Sequence, residues 1–320
     1  MIRRASEPSF RRENAPSFKV LTDGLQFPEG PVALSDGSVL VVEIKGGTLK
    51  RVDASGKTTL VADLGGGPNG AAIGPDGRCY ICNNGGHLWR DTPAGPLIAG
   101  MRPDYKGGSI QAVNLDTGTF ETLYTEHDQG KLTSPNDLVF DAFGGFWFSD
   151  TGKKEGRKLN FGSVCYAKPD GSMIKEVIWP MMSPNGVGLS PAGDRLYVAE
   201  TATSRVWMFD IIGPGEVAKK PWPSPHGGEL VCNLGGFRNP DSLAVDAEGY
   251  IHVATLMDPG IARVAPDGSS VVHTSFPDLY TTNICFGGPD LKTAYVTQTQ
   301  SGRLISFPSN VAGLKLNYNR

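Results

Sequence analysis

The 320-residue chain lacks any apolar run approaching the ~18 residues a membrane-spanning helix needs, so no membrane partner is expected. It also lacks a basic excess. Thirty Lys and Arg stand against 33 Asp and Glu, a net charge of −3, which leaves no field for a nucleic-acid partner. The early arginines (Arg3, Arg4, Arg11, Arg12) are interleaved with Glu7 and Glu13. Residues 1–15 therefore read as a flexible arm and 16–320 as a single domain. The arm has no continuous apolar segment, so no secretory leader is expected. Cysteines are few and odd in number, five in all, at 79, 82, 165, 232 and 285. That argues against a disulfide framework and for a reducing, cytoplasmic location. Cys79-x-x-Cys82 has no second pair at zinc-site spacing, and it falls in a strand pattern where residues three apart face opposite sides. No Gly-x-Ser-x-Gly elbow and no Gly-x-x-x-x-Gly-Lys-Ser/Thr loop occurs. The five histidines (87, 127, 226, 252, 273) are dispersed.

Turn-formers are abundant instead. Forty-two Gly and 24 Pro punctuate the chain, which implies many short strands. One unit recurs six times: Pro or Thr, then Glu, Asn or Asp, usually a small residue, then an apolar strand, a turn and a second strand. The copies open at Pro28-Glu29-Gly30, Pro68-Asn69-Gly70, Pro135-Asn136-Asp137, Pro184-Asn185-Gly186, Pro240-Asp241-Ser242 and Thr282-Asn283-Ile284. The hairpin turns, such as Asp36-Gly37 and Asp76-Gly77, supply the positive φ that tight reversals need. The units are spaced by about 51 residues on average, the period of a four-stranded propeller blade. The expectation is an all-β, six-bladed propeller. Its last unit reads as one strand short, ending near Arg303–Phe307, and Phe18–Leu21 would supply the fourth strand and close the ring. Two Pro/Gly-rich stretches, 92–108 and 213–228, are expected as long loops, either lids or contacts in an oligomer.

The first strand of each propeller blade lines the central channel. The residues opening those strands would then converge at one end: Glu29, Asn69, Asn136, Asn185, Asp241 and Asn283. None is apolar, and Glu29 is not a turn residue. Carboxylates and amides gathered on an axis offer an all-oxygen donor set for one divalent cation, calcium first, with magnesium, manganese or zinc as alternatives. Second strands return to the same end and finish at Glu43, Asn83, Asp150, Glu200 and Thr255. These would form a second ring, in which Asp150 and Glu200 could hydrogen-bond a ligand. His127, in a polar loop before the third unit, could approach the channel mouth. His252, between Ile251 and Val253, is expected to be packed or hydrogen-bonded.

These fragments, with Phe-Pro-Glu-Gly-Pro at 27–31, Ser-Pro-Asn-Asp-Leu at 134–138, Ser-Pro-Asn-Gly-Val at 183–187, Asn-Pro-Asp-Ser-Leu at 239–243 and Cys-Phe-Gly-Gly at 285–288, resemble the regucalcin/gluconolactonase family of six-bladed propellers, of the senescence-marker-protein type. The resemblance runs from about Phe27 to Phe307 and implies one metal held by Glu29, Asn185 and Asp241. Asn136 would touch the metal or the substrate. Sugar-lactone members carry an Arg where this chain has Ser134, a departure that bears on the substrate and not on the metal. The implied function is metal-dependent opening of a small-molecule lactone, with Asp241 as catalytic base and Asn69, Asn136, Asp150, Glu200 and Tyr105 around the substrate. Two alternatives stand beside it: a metal-dependent phosphotriesterase on the same site, and a non-enzymatic metal-binding propeller.

Overall fold

Six blades, each a sheet built around a run of antiparallel strands, follow one another along the described residues. The computed structural model describes residues 8–319. Blade 1 is Pro28–Ala33, Val39–Glu43, Thr48–Val52 and Thr58–Asp63. Blades 2 and 3 open at Pro68–Ile73 and Pro135–Phe140, blades 4 and 5 at Pro184–Leu189 and Asn239–Val245, and blade 6 at Thr281–Gly287. The strand Lys19–Thr22 pairs antiparallel with Arg303–Pro308 as the outer strand of blade 6. Blade 6 thus joins an early strand to late ones, and the ring cannot open between blades 6 and 1 without breaking that pairing.

Alternation of side chains makes the blades stack. Val39 and Val41 face blade 6, where they pack with Leu304, while Leu40 and Val42 face blade 2 and meet Ile73 and Ile81. Each of the six blade-to-blade junctions holds its own apolar cluster in this way. The same geometry separates the Cys79-x-x-Cys82 pair. Cys79 packs toward blade 1 and Cys82 toward blade 3, and both are free thiols.

The N-terminal arm differs from its sequence reading. Arg3, Arg4 and Glu7 lie outside the described residues, but Ser9–Asn14 is a strand laid parallel on Ser270–Ser275, a fifth strand on blade 5. Its charges have partners there. Arg12 pairs with Asp258, and the Arg238 guanidinium sits 4.0 Å from the centre of the Phe10 ring. The mixed sequence that suggested flexibility suits an exposed edge strand equally well.

The long stretches are also more ordered than expected. Residues 87–101 form a hairpin, His87–Thr92 with Gly95–Met101, inserted between the second and third strands of blade 2. Within 213–228, Glu216–Ala218 pairs with the third strand of blade 4, Arg205–Gly213.

The C-terminal segment crosses the end of the channel away from the strand starts. Leu314 N–H donates to Val245 O at 2.9 Å, and Asn317 Nδ2 donates to Phe140 O at 2.9 Å, so the tail spans from blade 5 to blade 3. Above it lies a cavity of about 430 Å³, walled by inner-strand residues such as Val32, Ile73, Leu189 and Val245 and floored by Leu314–Asn319. Among the described residues no helix is long and apolar enough to cross a membrane.

Candidate functional site

The six strand-opening residues are brought together. Glu29, Asn69, Asn136, Asn185, Asp241 and Asn283 are all buried, between 2% and 7% exposed, at one end of the channel. Two local features aim them there. In every blade the register between first and second strands slips at or beside this residue, as between Pro68 and Ala71 or Pro184 and Val187. Such a bulge turns a side chain out of the pleat. The small residue that follows lets the next blade close in. A Cβ on Gly70 would stand 2.3 Å from Asn136 O, and one on Gly186 would stand 2.6 Å from Leu243 N. The recurring polar-then-small pattern is thus a packing requirement of the crowded channel top.

Glu29 is the most constrained of the six. Its Oε2 accepts from Gly30 N at 2.5 Å and from Asn283 Nδ2 at 2.7 Å. Asn283 Oδ1 accepts from Ile284 N at 2.7 Å. Asn283 thereby holds Glu29 and has its own oxygen engaged. Beneath them Thr282, Thr297 and Thr299 share hydroxyl hydrogen bonds, and Thr299 donates to Pro28 O at 2.8 Å, stitching blade 6 to blade 1. Across the channel Ser242 Oγ donates to Asn185 Oδ1 at 3.4 Å.

Electrostatics single out the acids. Burial pushes Glu29 up to about 7, against the hydrogen bonds from Asn283, Gly30 and Thr282. Burial, followed by the nearby charge of Glu29, lifts Asp241 well above the carboxylate range. Glu29 and Asp241, on blades 1 and 5, therefore feel each other at one end of the channel. Asp137 joins them, pushed to about 8 by burial and by Glu29. It occupies the slot that is Gly in blades 1, 2 and 4, and its carboxylate accepts from Leu138 N at 3.0 Å and Val187 N at 3.1 Å. Sequence reasoning passed over Asp137, although the misfit of Asn-Asp among the Asn-Gly copies was a visible signal.

These residues suit a hard cation. Among the described residues no three His, Cys, Asp or Glu side chains gather as a metal cluster. The donors on offer are two mutually repelling carboxylates together with amide oxygens, and Asn136 Oδ1 is buried with no hydrogen-bond partner. A buried carbonyl oxygen without a donor, beside uncompensated carboxylates, is what an oxygen-ligated divalent ion would satisfy. Asn69 is buried in the same ring, and its side chain makes no hydrogen bond among the described residues.

The second ring is a correction. Asp150, expected at the substrate, is consumed by its own loop. Its carboxylate accepts from Thr133 N at 2.6 Å, Ser134 N at 2.7 Å and Gly152 N at 3.1 Å. Glu200 accepts from Met182 N at 2.8 Å and Trp207 Nε1 at 2.9 Å. Glu43 takes Gln26 N at 2.7 Å, and Asn83 Oδ1 takes Gly67 N at 2.9 Å. In blades 1 to 4 the residue ending the second strand anchors the loop that leads into the first. Buried loop N–H groups need acceptors, and these side chains supply them. Most of their acceptor capacity is thus committed to the loops.

Tyr105 is half-buried and gives its hydroxyl to Thr133 O, with the Lys153 ammonium 4.5 Å from the centre of its ring. His127 is not at the channel mouth. It sits on the short hairpin Glu126–His127 with Gly130–Lys131, 4.0 Å from Glu176 of the outermost strand of blade 3. His252 is hydrogen-bonded as expected, with Nε2 2.9 Å from Asp246 Oδ2 and its ring edge-on to Phe286. Above the site the 87–101 hairpin crosses to blades 1 and 6. Trp89 lies 4.7 Å from the Phe27 ring, Phe27 lies 6.3 Å from Tyr280, and Lys45 pairs with Asp91.

Residues 27–300 match the family described as SMP-30/Gluconolactonase/LRE-like region. The chain is 29% identical over 242 residues to the lactonase drp35 of Staphylococcus saprophyticus, covering 75% of this chain and 66% of that protein. It is 27% identical over 317 residues to the diisopropyl-fluorophosphatase of Loligo vulgaris, covering 91% of this chain and 92% of that one. In three dimensions it is similar to the calcium-binding protein regucalcin of Agrobacterium tumefaciens, with a TM-score of 0.73, 19% identity, and 98% and 99% of the two chains covered. A family match over most of the propeller, with its matched segment starting at the turn before Glu29, agrees with the geometry of the channel end: the chain belongs to the SMP-30/gluconolactonase/LRE-like family.

Proposed function

We propose that this protein is a metal-dependent lactonase, whose divalent cation would be held by Glu29, Asn136, Asn185 and Asp241. The observation that carries the reading is the buried, unpartnered Asn136 Oδ1 beside two repelling carboxylates. Family membership and the lactonase relative support the reaction class. Bound there, a divalent ion supplies Lewis acidity toward a carbonyl oxygen and lowers the pKa of a coordinated water.

The chain's own residues do the rest. Asp241 would hold the cation and serve as general base, its carboxylate taking a proton from the attacking water. Asn283 and the threonines below it fix Glu29, so one wall of the site is rigid before substrate arrives. Asn69 and Asn136 would orient the ester. Trp89 and Phe27 give the mouth an apolar side that sheds water. Ser134 is buried and donates its N–H to Asp150, so no guanidinium stands where sugar-lactone members place one.

A second reading, phosphotriester hydrolysis on the same residues, is favoured by the diisopropyl-fluorophosphatase relative, whose match covers 92% of that protein. One experiment tests both. Protein stripped with EDTA and reloaded with calcium, magnesium, manganese or zinc is assayed for acid release from a panel of γ-, δ- and sugar lactones and from diisopropyl fluorophosphate. Lactone turnover that vanishes on stripping, and in Asp241→Asn, is expected. Turnover surviving verified metal removal would overturn the proposal.

A further inference from the structure

The upper face of blades 2 and 3 carries a cation that the proposed chemistry leaves idle. Lys153 follows the second strand of blade 3, Phe146–Asp150. Its side chain is half-buried, and its Nζ donates to Asn84 O at 3.0 Å. The same ammonium stands 4.5 Å from the centre of the Tyr105 ring. Among the described residues it makes no ion pair. Glu155, the acid nearest in sequence, is exposed on the small hairpin Lys154–Glu155 with Lys158–Leu159, and Asp150, three residues before Lys153, gives its oxygens to Thr133, Ser134 and Gly152. An ammonium has three N–H donors, and here one is used by protein. Burial accordingly draws Lys153 down to about 8.

Its position relates it to the channel end. Asn84 N–H donates to Gly67 O at 2.9 Å, two residues before Asn69. Tyr105 is tied to Thr133 O, three residues before Asn136. Lys153 therefore rests on Asn84 and Tyr105, which are in turn hydrogen-bonded to the segments leading into Asn69 and Asn136. The neighbouring His87 adds no charge: burial, with Lys153 beside it, pulls it down to about 3. Its ring stands edge-on to Trp89, centroids 5.9 Å apart. The mouth on this side thus has an uncharged aromatic wall and one half-dry ammonium with donors to spare. Such a group is stabilised by an incoming anion more than a fully hydrated lysine would be.

We propose that Lys153 is a specificity-determining residue that binds a carboxylate on the substrate, so that the preferred lactones are anionic ones, with Asn84 and the Tyr105 ring fixing the ammonium. This rests on the lactonase reading. The test pairs a γ-lactone carrying a side-chain carboxylate with its methyl ester. In wild type the acid is preferred in kcat/KM; in Lys153→Met the acid-to-ester ratio falls about tenfold or more, and Lys153→Arg restores part of it. A ratio unchanged in Lys153→Met overturns the proposal. Calorimetric titration with the ring-opened hydroxy-dicarboxylate gives an independent arm, with Kd expected to weaken about tenfold in Lys153→Met. If wild type opens no lactone, the lactonase reading fails, while the binding arm still decides Lys153: equal binding by wild type and variant overturns it. Lys153→Gln serves as a second variant should Lys153→Met fold poorly.

Discussion

Glu29 shows how one side chain can work against stability and for function. It is 2% exposed, and it shares its surroundings with Asp137 and Asp241. Buried like charges without a counter-ion cost stability, and neutralising one relieves the others. Glu29→Gln is therefore expected to melt at or above the wild-type temperature in EDTA, yet to bind calcium at least a hundredfold more weakly. Scanning calorimetry with and without the ion, alongside a binding titration, checks both halves. A lower metal-free melting temperature would mean that Glu29 serves the fold rather than a cation. At this scale the sequence was legible wherever a residue broke a rule. Glu29 was conspicuous because glutamate has no business opening a turn, and the repeat made its five partners countable. Lys153 and Trp89 were not legible, since their importance comes from loops of different blades meeting on one face.

The strand ends teach a different lesson. Asp150 and Glu200 sit at equivalent places after apolar strands, and a charged residue there looks like site chemistry. Their hydrogen bonds go instead to the loops running into the first strands of blades 3 and 4. Bonds to a charged acceptor contribute about 1.5–3 kcal/mol each, and stranding the donors costs more. Asp150→Ala is expected to lose roughly 3 kcal/mol, seen as a Tm lower by roughly 5 °C for a domain this large. Its kcat should fall only because Asn136 shifts with the loop. Loss of turnover at unchanged Tm would return Asp150 to the substrate. The periodicity of a strand says which end a residue occupies, whereas the partner of its carboxylate is set by a loop whose path no periodic pattern encodes. For the same reason the turn-rich stretch 92–108, read as a long loop, opens as the second strand of the 87–101 hairpin: its alternation is weak, and its order comes from docking on Phe27 and Gln300.

For the molecule as a whole, six repeats and a missing fourth strand were enough to infer closure, because a ring with an open sheet edge is unstable and only one early strand was unassigned. The strand before it was not foreseen. Ser9–Asn14 carries three consecutive charges, Arg11, Arg12 and Glu13, with no apolar face to announce it, and its place is fixed by Arg12 on Asp258 and Phe10 under Arg238. Removing the first 14 residues is expected to leave the channel site intact but to bare the Ser270–Ser275 edge. The shortened protein should associate at concentrations where the full chain is monodisperse in light scattering, and unchanged scattering with unchanged Tm would show the strand to be dispensable. The C-terminal segment has a converse effect. Pinned from Val245 to Phe140, it lies across the lower end of the 430 Å³ hollow. With the tail lying across one end, the proposed chemistry would be served from the other, past the aromatic hairpin, so a bulky fusion appended after Arg320 is expected to leave turnover untouched, whereas pinning that hairpin shut is expected to silence it.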